Sequence, residues 1–279
     1  MASLQRAAAA MIACLVIAAC DNGSVTGPTP PSTTSDTAHG FAGFDIAVYP
    51  GDAAMQAWLH PSSPYYWTGY YLPAPCHRDA SWSGKYNTIR SMGWGVAAIY
   101  VGQQDWTQIP SSALEATASR ASEQLATCSA SLLSADQANA EAADAIARMR
   151  ADGFPGGSVI FLDVEYVTSV SASLLDYYRA WIAAVVRDGR YRVGVYAAKS
   201  NAPVLYGAAN DAAHAAGATE SPTFWITSSA GFTTASPPSA VGLSYAALWQ
   251  GMYDVTQTFK GVTLTVDVDV ATSRSPSTR

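Results

Sequence analysis

The sequence predicts an α/β protein whose single folded domain is a closed (β/α)8, TIM-like barrel. Three observations lead there. Short apolar runs rich in β-branched and aromatic residues alternate with stretches of helical periodicity. Eight such runs fall within residues 41–272, close to the length of about 250 residues common for this barrel. Most runs are apolar at nearly every position, as strands covered on both faces of a parallel sheet must be. A doubly wound open sheet is the alternative. No G-x-G-x-x-G follows the first run and no lysine-bearing phosphate loop occurs, so a nucleotide-binding version lacks support.

In order, strands are predicted at 43–49 (GFDIAVY), 66–72, 95–101 (GVAAIYV), 158–165 (SVIFLDVE), 192–197, 223–227 (TFWIT), 246–250 (AALWQ) and 263–270 (TLTVDVDV). Helices are predicted at 52–59, 85–92, 111–128, 136–151, 173–187 and 203–216. The fourth ends at Asp152-Gly153 ahead of Pro155, and the fifth at Asp188-Gly189, both good stop signals. Leu174, Tyr177, Tyr178, Trp181, Ile182 and Val185 form a 3.6-period stripe, which reads as core.

The ends of the chain read differently. Residues 1–19 form a secretory signal: Arg6 is the one charge before an apolar run shorter than the ~20 residues that span a bilayer. Ile17-Ala18-Ala19-Cys20 resembles the lipobox of bacterial lipoproteins, which implies lipidation at Cys20. The stretch that follows, to residue 40, is Ser, Thr, Gly and Pro and cannot bury enough apolar surface to order itself. It is read as a tether. A monomeric, exported, membrane-anchored envelope protein is therefore expected, with a disordered tail at 273–279. Fifteen basic against twenty-one acidic residues, net −6, exclude the basic footprint that nucleic acid requires. Cys76 and Cys128 remain as an even pair. In an oxidising compartment a disulfide between them is expected, with two separate buried thiols as the alternative.

Chemistry in such a barrel sits at the carboxyl ends of the strands. Acidic residues in apolar strands are costly unless paired or used. The sequence puts Asp45 in the first strand, Asp163 and Glu165 at the end of the fourth, and Asp267 and Asp269 at the end of the eighth. Residues two apart on a strand share a face, so each of these last two pairs points one way. Clustered carboxylates raise one another's pKa. A carboxyl that keeps its proton near neutral pH can protonate a leaving oxygen, which is the requirement of glycoside cleavage. Helix capping by strand-end aspartates is the plainer role for any one of them.

G-F-D-I at 43–46, D-V-E at 163–165, L-W-Q at 248–250 and V-D-V-D at 266–269 resemble family 25 glycoside hydrolases, the muramidase-type lysozymes. The longer pattern is similar to a bacterial glycoside-hydrolase-like family of unknown function. It adds G-Y-Y-L at 69–72, G-F-P-G at 153–156 and V-Y at 195–196. The resemblance implies that Glu165 is the general acid and that Asp163 stabilises the developing positive sugar or its N-acetyl group. It also implies that Asp45 helps hold the site and that Asp267 is the aspartate of a D-x-N motif. Asp269 stands where that motif has asparagine.

Tyr49, Tyr70, Tyr71, Tyr100, Tyr166, Tyr196, Trp225 and Trp249 lie near predicted strand ends and could stack on sugar rings. Tyr196, Trp249 and Gln250, with Asp269, are the expected sugar contacts. His39, His60, His77 and His214 are scattered and form no H-x-x-x-H, so no metal or cofactor is expected; His77 is read as a surface residue. No G-x-S-x-G supports a serine esterase. Three functions follow: a glycosidase acting on peptidoglycan or another envelope polysaccharide, a catalytically silent barrel that binds envelope glycan, or a structural lipoprotein without ligand.

Overall fold

The computed structural model describes residues 39–59, 61–108 and 126–278. Eight strands close into one barrel in chain order. They are β1 (Phe41–Asp45), β2 (Trp67–Tyr71), β3 (Gly95–Val101), β4 (Val159–Val164), β5 (Arg192–Ala198), β6 (Thr223–Thr227), β7 (Ala246–Phe259) and β8 (Val262–Ala271). Among the described residues the α-helices are α1 (Asp52–Trp58), α2 (Tyr86–Met92), α3 (Ala135–Ala151), α4 (Ala172–Asp188) and α5 (Ala202–Ala215). Ser134 and Ser171 cap α3 and α4, each accepting a backbone N–H three residues on, which satisfies one orphan donor per helix. The signal, Cys20 and most of the helix predicted at 111–128 lie outside the described residues.

The barrel departs from an all-parallel one at its last strand. β1 to β7 pair in parallel. β8 runs antiparallel to both β7 and β1. Only Lys260 and Gly261 separate β7 from β8, and a parallel return needs a crossover of a dozen residues or more. Both linking residues have positive φ, 46° and 77°, as a two-residue hairpin turn requires. β7 accordingly continues nine residues past its predicted end at Gln250. The hairpin is held from one side, where Trp58 Nε1 donates to Val262 O at 3.0 Å and Phe259 packs edge-on against Trp58.

The barrel interior is a plug of large rings. Trp225 meets Trp67 and Phe161 edge to face, with ring centres 5.5 and 5.6 Å apart. Gly43 makes this possible, since a Cβ there would lie 2.2 Å from the Trp67 ring. The second apolar layer lies between the strands and the helices, and the α4 stripe is buried in it as predicted. Cys76 and Cys128 are joined by a disulfide across 52 residues. In the chain-entropy account a loop of that length contributes about 4 kcal/mol. It ties the long β3–α3 connection to the loop after β2.

The tail expected to be disordered is ordered as far as it is described, through Thr278. Ser277 is fully buried: its N–H donates to Val96 O at 2.8 Å and its carbonyl accepts from Val159 N at 2.8 Å. Ser277 Oγ accepts from Ala98 N at 2.7 Å. β4 pairs with β3 only from Ala98 upward, so the lower residues of β3 need other partners. The tail supplies them. Its polar composition misled because its polar groups are the bonds that hold it.

Candidate active site

Side-chain alternation and register bring the predicted carboxylates together. Asp45, at the end of β1, lies directly opposite Asp267 on β8. Because β8 is reversed, Asp267 reaches the carboxyl face from the strand's interior rather than from its end. Asp163 on β4 pairs in register with Tyr196 on β5, which pairs with Trp225 on β6. These groups line one cleft of about 230 Å³, together with Glu165, Tyr71 and Gln250. Gly69 gives Asp45 its place, because a Cβ there would sit 2.5 Å from Asp45 Cβ. A larger hollow of about 570 Å³ lies among the loops around Gly157, Tyr191 and Gly217, and its lining carries none of these carboxylates.

Gln250 organises one wall. Its Nε2 donates to Asp45 Oδ2 at 2.9 Å and to Asp267 Oδ2 at 3.0 Å, and its Oε1 accepts from the Tyr196 hydroxyl. Its amide is thus committed to fixing two carboxylates and a tyrosine, and the sugar-hydroxyl role expected of it gives way to that. Tyr71 donates to Asp45 Oδ1 at 2.6 Å. Asp254 N donates to Asp267 Oδ1 at 2.8 Å. A second amide, Gln104, fixes the other wall. Its Nε2 donates to the Asp163 carbonyl at 2.8 Å, and its Oε1 accepts from Glu165 N at 3.0 Å. It continues the sheet ladder where β4 ends and so sets the direction of Glu165.

Burial dominates the electrostatics. Asp45 is pushed up to about 7, first by desolvation and then by the Asp267 charge, against the hydrogen bonds from Tyr71 and Gln250. Asp163 is held well above the usual carboxylate range by burial and by the charges of Glu165 and Asp45. Its Oδ1 is buried and accepts from no donor among the described residues.

Two expected sugar contacts lie elsewhere. Trp249 is fully buried between strand and helix layers, donates to Ser228 O at 2.7 Å and packs on Phe232. Adjacent strand residues face opposite ways, so Gln250 and Trp249 cannot both look into the barrel. Asp269 is fully buried beneath the cleft. Its Oδ1 accepts from Trp225 Nε1 at 3.1 Å, while Oδ2 is reached by no N–H or O–H among the described residues. Tyr70 and Tyr100 also face the helices. His77 is half-buried, with its ring 4.9 Å from that of Tyr71. Trp225 lines the cleft beside Tyr196, and Asp254 and Thr265 enter it from the hairpin. The last two were unreadable without knowing that β7 and β8 form a hairpin.

Asp269 gives a first prediction. Burial and the Asp45 and Asp267 charges hold its carboxyl far above the usual range, and a proton shared with Asp45 is the bond open to Oδ2. A protonated acid here offers one donor and one acceptor, as an asparagine does. The folded state keeps a proton that the unfolded chain releases above about pH 4. Stability is therefore complete below that pH and is lost as pH rises through the raised pKa. Asp269→Asn keeps donor and acceptor without titrating. Melting followed against pH is expected to show a gain of several degrees at about pH 8 and almost none below about pH 4, at about 2–4 °C per kcal/mol. Parallel profiles for the two proteins would show that Asp269 does not titrate as described.

The structure is a closed barrel with carboxylates from β1, β4 and the β7–β8 hairpin gathered at one face, where barrels of this kind carry their chemistry. The chain belongs to the Rv2525c-like, glycoside hydrolase-like domain family, whose model matches residues 56–271. A sequence search of curated proteins finds no match. Solved structures share the fold. An uncharacterized B. stearothermophilus protein aligns with TM-score 0.53 and 17% identity, over 83% of this chain and 96% of that one. The modular autolysin LytC from Streptococcus pneumoniae aligns with TM-score 0.50 and 12% identity, over 83% of this chain and 46% of that one. The Mycobacterium tuberculosis Tat-secreted protein Rv2525c in complex with L-tartrate gives TM-score 0.49 and 16% identity, over 84% and 95%.

Proposed function

We propose that this protein is an exported glycosidase of the cell envelope that acts on peptidoglycan or another envelope polysaccharide. The observation that carries the reading is the convergence of Asp45, Asp163, Glu165 and Asp267 on one cleft, with Asp45 and Asp163 held by burial above the usual carboxylate range. Glu165 donates the proton to the leaving oxygen. Asp163, beside it and deeper, stabilises the positive charge that develops on the sugar. Tyr196 contributes a ring surface for the sugar and is braced edge to face by the buried Trp225. Tyr166 and Tyr253 stand exposed on the loop after β4 and on the hairpin, where further rings of a polymer can rest.

Peptidoglycan is the first candidate because LytC, which shares the fold, has been solved in complex with a synthetic peptidoglycan ligand. Export and lipid anchoring at Cys20 rest on the signal-like segment and tether, and the Cys76–Cys128 disulfide suits an oxidising compartment. The test incubates the protein, without signal and lipid, with peptidoglycan and a panel of β-linked polysaccharides and follows new reducing ends. Release identifies the substrate class. No release, with saturable glycan binding, assigns the cleft to a silent binding barrel instead. No binding leaves a structural lipoprotein.

A further inference from the structure

We propose that the cleft selects a hexosamine unit whose amino group is free and protonated, with the ammonium seated against Asp163 between Asp45 and Glu165. The inference rests on the glycan reading above and names the sugar within it. Among the described residues five acidic side chains line the cleft, Asp45, Asp163, Glu165, Asp254 and Asp267, and no lysine, arginine or histidine does. The protein answers part of that charge: Tyr71 and Gln250 serve Asp45, and Gln250 and the Asp254 N–H serve Asp267. Asp163 is different. It is 7% exposed, its Oδ1 receives no donor, and like charges flank it.

A buried carboxyl in that position is costly until a ligand supplies donors, and a cationic donor relieves the repulsion as well. A small metal ion is not the fit. Among the described residues no three His, Cys, Asp or Glu side chains are grouped to hold one. The charge is spread around the walls of a hollow of about 230 Å³, below the ~300–1,000 Å³ of drug-sized pockets and suited to one sugar ring. An N-acetyl group would offer Asp163 a single neutral N–H, whereas an ammonium offers three donors and the compensating charge. The ammonium would also lower the raised carboxyl pKa values, so its binding should release protons.

The test compares a β-1,4-linked glucosamine tetramer with its fully N-acetylated counterpart by calorimetry at about pH 6, where an amine of this kind is charged. Runs in two buffers of different ionisation heat count the protons released. The free-amine tetramer is expected to bind about tenfold tighter, with proton release that the acetylated one lacks. In Asp163→Asn the preference should vanish. In Asp254→Asn, at an exposed position that leaves the fold intact, it should fall about twofold. Equal or tighter binding of the acetylated tetramer overturns this inference and leaves the glycosidase reading standing. A preference that survives Asp163→Asn places the ammonium elsewhere and overturns it too. Binding of neither tetramer, nor of any other glycan, removes both readings together.

Discussion

Glu165→Gln is expected to lower glycan turnover by about 10²–10⁴-fold, the contribution typical of a positioned general acid, while glycan binding stays close to wild type. The substitution is nearly isosteric. The backbone that aims residue 165 is held independently, by Gln104 donating to the Asp163 carbonyl and accepting from Glu165 N. The geometry therefore survives and only the transferable proton is lost. Reducing-end release from the substrate identified with the wild type measures the first quantity, and calorimetric titration with the same glycan measures the second. Turnover that survives in Glu165→Gln would move the acid to another carboxyl, with Asp163 next in place. A loss of binding equal to the loss of turnover would mean that Glu165 holds the sugar in its ground state rather than protonating the leaving group.

Deleting residues 273–279 is expected to lower the melting temperature by on the order of 10 °C, although the segment is remote from the cleft. Four hydrogen bonds join it to the lower rim. Ser277 bonds Val96 O, Val159 N and Ala98 N, and Ser275 Oγ accepts from Val96 N at 3.2 Å. At about 1 kcal/mol net each they contribute about 4 kcal/mol. The Arg274 guanidinium adds cation–π contacts 4.1 Å from the centre of Tyr66 and 5.0 Å from that of Phe41. Scanning calorimetry of the truncated and full-length proteins decides it. Coincident melts would mean that water replaces the tail without loss.

The strands of the barrel were legible because apolar runs mark them, and β3 and β6 have the predicted bounds. The four carboxylates were legible for a related reason: an acid in such a run has to be explained. What stayed hidden depended on direction. Nothing in V-D-V-D tells which way the strand runs, so Asp267 and Asp269 read as strand ends when they descend from rim to floor. Lys260-Gly261 is a weaker hairpin signal than Asn-Gly, and the extension of β7 went unread with it. Gln104 and Gln250 were hard to place for another reason. An amide's task is set by what faces it, and each faces segments distant in the chain: Asp45 lies 205 residues from Gln250. Trp249 was misplaced by reading strand-end position without the alternation that already assigned the interior to Gln250.

The pairing of β1 with β8 has a consequence for how the molecule comes into being. Residues 41–45 find their second neighbour only in residues 267–271, and the lower residues of β3 find theirs in Ser277. A nascent chain lacking its last portion can assemble at most an open sheet, with β1 and β7 left as unpaired edges that invite association with other chains. Closure must bring together segments separated by nearly the whole domain, a contact pattern that slows folding. The last elements of the domain, one hairpin and one buried serine, therefore decide when the protein ceases to be sticky and becomes a barrel.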